Sequence, residues 1–201
     1  MVFIARSRFF PKRSYTFQLF FRDIGRVIGN LGSIRKTMQH ASITPRFAEH
    51  VMLAVTAVNG CRYCSYVHAR MALESGCSVK EIASLLTSNS SEISSDEAIA
   101  IAFGHHYADS GGNPERFALS RLIKAYGLQK SRDIVNSIYM ITIGNYMGNT
   151  LDAFRSRMHG IPPPQGSPLM EFIVFLIGTL FVKVLGIAHV MGTLDVHGHR
   201  G

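Results

Sequence analysis

Cysteine is scarce, with three in 201 residues. Three cannot form an even disulfide framework, and Cys61 and Cys64 stand too close together to staple a loop. A disulfide-rich secreted scaffold is therefore excluded. In a reducing compartment a Cys-x-x-Cys pair is more often redox-active or metal-binding than structural. A secretory signal is also missing: the apolar run Met1–Ala5 is short and arginines follow it, so a cytoplasmic setting is expected. Charge is sparse, at 17% of residues against 47% hydrophobic, a balance that points to an oligomer or a membrane contact. No run of alternating β-branched residues with turn punctuation occurs, so an all-α fold is expected. No nucleic-acid module is present either.

The periodicity that remains is helical. Leu19, Phe20, Ile24, Val27, Ile28, Leu31, Ile34 and Met38 follow helix-face spacing through 17–40, interrupted by Gly25, Gly29 and Gly32. Thr44-Pro45 is a helix start, Asn59-Gly60 a stop, and Ser78 answered by Glu81 a capping box. Further helices are expected from about Ser95, over Pro114–Tyr126, and over Ser131–Met158 with Gly144 and Gly148 as close-approach points. The chain divides into a basic amphipathic arm (1–40), a helical domain (41–160), and a Pro-rich linker with an apolar helix (161–201). Net charge is +8, and the arm holds Arg6, Arg8, Lys12, Arg13, Arg22, Arg26, Arg35 and Lys36 against Asp23. Such an arm suits an anionic surface, or is a solvated face whose Phe9, Phe10, Phe17, Phe20 and Phe21 pack on the core. The run 169–192 approaches the ~20 apolar residues that cross a bilayer. Lys183 inside it is penalised by roughly 2.5–3.5 kcal/mol at mid-membrane, so spanning competes with lying on a membrane or packing in an oligomer.

Chemistry concentrates between Glu49 and Glu74, EHVMLAVTAVNGCRYCSYVHARMALE. Positions i, i+3 and i+7 put Cys61, Cys64 and His68 on one helix face, with Cys61 at the positive helix start, where a thiolate is favoured. If the flanking helices fold as a hairpin about Gly60, Glu49 and His68 lie ~16 Å and ~12 Å from the turn at about 1.5 Å per residue, within a turn of each other. Carboxylate, imidazole and two thiols then form one proton-relay cluster. A zinc site built from the same four residues and an inert buried pair are the competing readings; no second Cys-x-x-Cys completes a common structural zinc pattern. His105, His106 and Asp109 suggest a metal only weakly, because adjacent helical residues point apart. His189, His197 and His199 receive no role. Asn145, Tyr139 and Tyr146 are candidates to line the site or pack the core, and Cys77 reads as a small packing residue.

Glu49, eleven residues, Cys61-Arg62-Tyr63-Cys64, three residues, His68 and then Ala72-Leu73-Glu74-Ser75-Gly76 together resemble the core motif of alkyl hydroperoxidase D-like proteins. These belong to the carboxymuconolactone decarboxylase superfamily. The resemblance is specific over about 42–88 and looser to about 158. It implies an all-helical domain that assembles as trimers or hexamers and acts as a thiol-dependent peroxidase or disulfide reductase. By the same resemblance, Cys64 attacks a hydroperoxide, Cys61 resolves it as a Cys61–Cys64 disulfide, and Glu49 and His68 relay protons. A dithiol reductant protein regenerates the pair, with no other cofactor or metal. Some relatives carry a second histidine between the two cysteines, where this chain has Tyr63, a candidate pocket residue. Two other readings remain: a membrane-associated redox-sensing or interaction protein, and a lactone decarboxylase, whose family members do not rely on the cysteine pair.

Overall fold

The computed structural model describes residues 12–87, 94–161, 163 and 166–184, the last four as backbone. Every regular element among them is a helix. In order they are α1 (Phe17–Gly29), α2 (Leu31–His40), α3 (Pro45–Asn59), α4 (Arg62–Glu74), α5 (Val79–Leu86), α6 (Ser95–Asp109), α7 (Arg116–Met158) and α8 (Pro168–Val184). The all-α expectation is met.

Local signals explain most boundaries. Thr44 caps α3 by accepting the Phe47 N–H, Pro45 occupies the first helical position, and Gly60 ends the helix at φ 69°, a left-handed conformation that suits glycine. Ser78 and Glu81 form the reciprocal capping box of α5. The continuous helix expected over 17–40 is instead two, broken at Asn30, whose side chain bonds back to the Arg26 carbonyl. Gly25, Gly29 and Gly32 face open space, so they mark flexibility in propensity and not close packing. The two helices expected over 114–158 are both present within α7, separated where Gly127 takes a non-helical φ of 74°.

α3 is the central helix, with eight of its fifteen residues buried. Val51 and Val55 meet Phe103 and Tyr107 of α6 and Ile134, Ile138 and Ile141 of α7, while Leu53 and Ala54 meet Ala72, Ile82, Leu85 and Ile101 on the other side. Tyr15, Tyr146, Met170 and Val174 form a third cluster that ties the amino-terminal segment and α8 to α7.

The basic arm differs from its sequence reading. Phe20 packs edge-on against Tyr15, but Phe17 and Phe21 are exposed. The inward side of α1 also carries charge: Asp23 is buried and pairs with Arg22 and Arg26, which reach on to the Gly111 carbonyl and Asn113. Lys12 bonds Asp152, and Arg13 bonds the carbonyls of Ala108 and Asp109. These four cations therefore serve the fold; Arg6, Arg8, Phe9 and Phe10 lie outside the described residues. α8 turns Met170, Val174 and Glu171 inward, where Arg157 grips the Glu171 carboxylate with two bonds of 2.8 and 3.0 Å. Leu169, Phe172, Leu176, Ile177 and Leu180 point outward. Among the described residues no helix is long and apolar enough to cross a membrane; residues 185–192 of the apolar run, and the side chain of Lys183, lie outside them.

Asp133 on α7 fastens α2 and the start of α3. It accepts from Thr37 Oγ1 at 2.6 Å and from the Ser42 backbone N–H at 2.8 Å and hydroxyl at 2.5 Å. Burial opposes its charge, but the donors of Ser42 and Thr37 outweigh burial and hold its carboxyl below the usual carboxylate range. A depressed carboxylate contributes stability that is complete above its unfolded value of about 3.9 and is lost as pH falls through the lower folded one. Denaturant titrations of the wild type should therefore lose stability below about pH 4, and Asp133→Asn should flatten that dependence. An unchanged acid limb in the variant would assign the effect to other groups.

Candidate active site

The α3–Gly60–α4 hairpin holds the four expected residues as two pairs. His68 Nδ1 lies 2.8 Å from Glu49 Oε2, so a carboxylate that is only 4% exposed orients a largely buried imidazole. With the Nδ1 proton donated to Glu49, Nε2 is the nitrogen that exchanges protons. The second pair is the dithiol. Cys61 is the N-cap of α4, its sulfur accepting the Cys64 backbone N–H at 3.3 Å. Both thiols are free, Cys61 fully buried and Cys64 partly exposed. Among the described residues, neither thiol is hydrogen-bonded to His68 or Glu49, so a proton passing between the pairs needs a bridging water.

The Cys64 S–H donates to Cys61, which lowers the Cys61 thiol; the backbone N–H groups of Cys64 and Tyr63 and the Lys12 charge add to this against the cost of burial. The same bond, with burial behind it, pushes the Cys64 thiol up. These contacts favour a thiolate on the buried sulfur over one on the accessible sulfur.

Two residues around the dithiol, Gly148 and Asp152, were not identified from the sequence as site residues. Gly148 on α7 lies against it: a Cβ there would stand 2.7 Å from Cys61 Sγ and 3.7 Å from both Cys64 Sγ and the Tyr63 ring. Asp152, one turn on, bonds Lys12 and Arg62 and lies 3.4 Å from the Tyr63 hydroxyl. Tyr63 is further held by the Arg62 guanidinium over its ring at 4.9 Å. Gly148 was expected as a close-approach point and is one, whereas Gly144 has nothing within 4 Å of a built Cβ. Nothing local in the sequence links 148 or 152 to residue 61; only the packing of α7 across α4 does so. Gly148→Ala should lower unfolding stability by about 1–3 kcal/mol, the usual cost of overpacking, because Cys61 is fixed as a cap and cannot retreat. Denaturant midpoints measure this, and a neutral result would mean that α7 shifts freely.

The remaining candidates are structural. Tyr146 packs on Tyr15 and Tyr139 on Tyr107, while Asn145 accepts from Thr56 between α3 and α7. His106 bonds Glu115 and His105 is half-buried, with its imidazole pKa lowered by burial. No group of three or more metal-ligating side chains occurs among the described residues; His189, His197 and His199 lie outside them. A cleft of about 570 Å³, lined by Ser42, Phe47, Glu97 and Tyr126 among others, is separate from the dithiol.

Residues 31–100 match the model of the carboxymuconolactone decarboxylase family. That span includes Glu49, Cys61, Cys64 and His68 and leaves Gly148 and Asp152 outside. No curated protein and no solved structure matches the chain.

Proposed function

We propose that this chain, which carries a carboxymuconolactone decarboxylase family domain in residues 31–100, is a thiol-dependent peroxidase of the alkyl hydroperoxidase D kind. The family domain fits either an alkyl hydroperoxidase D-like or a decarboxylase-type function. The observation that favours the peroxidase is the hydrogen-bonded Cys61–Cys64 dithiol at the start of α4, beside the Glu49–His68 pair. A decarboxylase has no use for such a dithiol.

In this reading the hydroperoxide meets Cys64, the accessible sulfur. The Cys64 proton passes through water to His68 Nε2, Cys64 attacks the terminal peroxide oxygen, and the O–O bond breaks. His68 returns that proton through water to the departing alkoxide, giving an alcohol and a Cys64 sulfenic acid. Cys61 then loses its proton through water to His68 Nε2 and attacks the Cys64 sulfur. Hydroxide leaves and is protonated to water as the Cys61–Cys64 disulfide forms. An external dithiol protein reduces that disulfide by exchange. The outward apolar face of α8 supports the further proposal that copies of the chain associate.

Counting thiols tests the cycle. The reduced protein has three cysteines. One equivalent of an organic hydroperoxide should leave one titratable thiol after unfolding, Cys77, and a dithiol reagent should restore three. Three thiols persisting after peroxide would overturn the assignment.

A further inference from the structure

We propose that Cys77 is a second peroxide-reactive thiol, served by a base of its own and independent of the Cys61–Cys64 pair. Its sulfur lies 3.2 Å from His50 Nε2, and His50 Nδ1 lies 2.5 Å from Glu97 Oε2. The three residues come from separate elements: His50 from α3, Cys77 from the turn before α5, and Glu97 from the first turn of α6. The sequence reading of Cys77 as a filler of space is therefore incomplete. Packing alone needs neither an imidazole on the sulfur nor a carboxylate behind the imidazole. A nucleophile, a base and a group that orients the base are the parts of an activated thiol.

The proton positions follow from the contacts. His50 is 1% exposed, and its Nδ1–H donates to the Glu97 carboxylate, leaving the Nε2 lone pair facing Cys77. Burial pushes the Cys77 thiol up, so the resting sulfur is an S–H donor to Nε2. Arg46, one turn before His50, sets its guanidinium beside the same sulfur while pairing with Glu81. As the sulfur attacks, its proton passes to His50, Glu97 stabilises the imidazolium, and Arg46 favours the developing thiolate.

The oxidant is hydrogen peroxide, because Cys77 is only 5% exposed and admits little that is larger. A sulfur–oxygen bond forms, the O–O bond breaks, and His50 returns its proton to the departing hydroxide as water. Cys77 is left as a sulfenic acid. Cys61 and Cys64 lie at the start of α4 and Cys77 beyond its end, about ten or more helical residues away, ~15 Å at 1.5 Å each, so neither resolves it. The added oxygen competes with His50 for space between α3 and α6, which makes the modification a signal the fold can register.

The test uses the Cys61→Ser/Cys64→Ser chain, in which Cys77 is the one cysteine left, so it stands or falls apart from the dithiol chemistry. Folding is verified by circular dichroism, the chain is exposed to hydrogen peroxide, and sulfenic acid is trapped with dimedone and located by peptide mass. A Cys77 adduct is expected, forming about tenfold or more slowly when Glu97→Gln is added, since that change keeps the side-chain shape and removes only the charge behind the base. No adduct in the folded chain, or equal rates with and without Glu97→Gln, would overturn the proposal.

Discussion

Cys64→Ser should reduce hydroperoxide consumption to the buffer rate, while Cys61→Ser should permit one oxidation and no turnover. Electrostatics and access single out different sulfurs, and the expected result depends on reconciling them. The Cys64 S–H and two backbone N–H groups favour a thiolate on Cys61, but Cys61 is fully buried behind Gly148. A peroxide cannot reach it. Cys64 is reachable, but burial and its bond to Cys61 push its thiol up, so its attack needs a base, which His68 supplies through water. Cys61 displaces hydroxide from the oxidised Cys64 afterwards. Removing Cys61 should prevent that second step, so sulfenic acid accumulates on Cys64 and dimedone traps it there. Removing Cys64 leaves a buried sulfur that meets no substrate. Stopped-flow peroxide consumption with mass analysis of the trapped product separates these outcomes. Normal activity in Cys64→Ser would end the peroxidase reading, and a sulfenic acid on Cys61 would exchange the two roles.

The parts of the molecule that were legible in the sequence are those fixed by neighbours along the chain. Thr44-Pro45, Asn59-Gly60 and Ser78 with Glu81 set the ends of α3 and α5 through local capping, so their positions follow from residue type. The hairpin about Gly60 carried Glu49 to His68 because two helices leaving one turn keep register over a few turns. Contacts that cross between distant helices were not legible. Gly148 against Cys61, Asp152 between Lys12 and Arg62, and Glu97 behind His50 each join residues forty-seven to 140 positions apart. Composition misleads in the same places. Lys12, Arg13, Arg22 and Arg26 look like a surface for anions, yet they face Asp152, carbonyls at the end of α6, and buried Asp23. Charge content gives the number of cations but not the direction they face.

Glu49→Gln should lower kcat/KM for hydroperoxide by about 10²–10⁴, the usual worth of a positioned acid–base group, with little effect on folding. Its carboxylate holds His68 Nδ1 at 2.8 Å in a buried setting and does two things that glutamine cannot. It fixes the tautomer, since a carboxylate can only accept, whereas an amide can also turn its N–H₂ to Nδ1 and put the imidazole proton on Nε2. It also supplies the negative charge that stabilises the imidazolium formed when His68 takes the proton released by Cys61. His68→Ala removes the same relay from its other end and should cost a similar factor. Residues that act as one unit are not additive, so the Glu49→Gln/His68→Ala double variant should be about as slow as the slower single variant. A double variant slower by the product of the two losses would mean that Glu49 and His68 act separately. The proton released by Cys61 would then have to leave by another route.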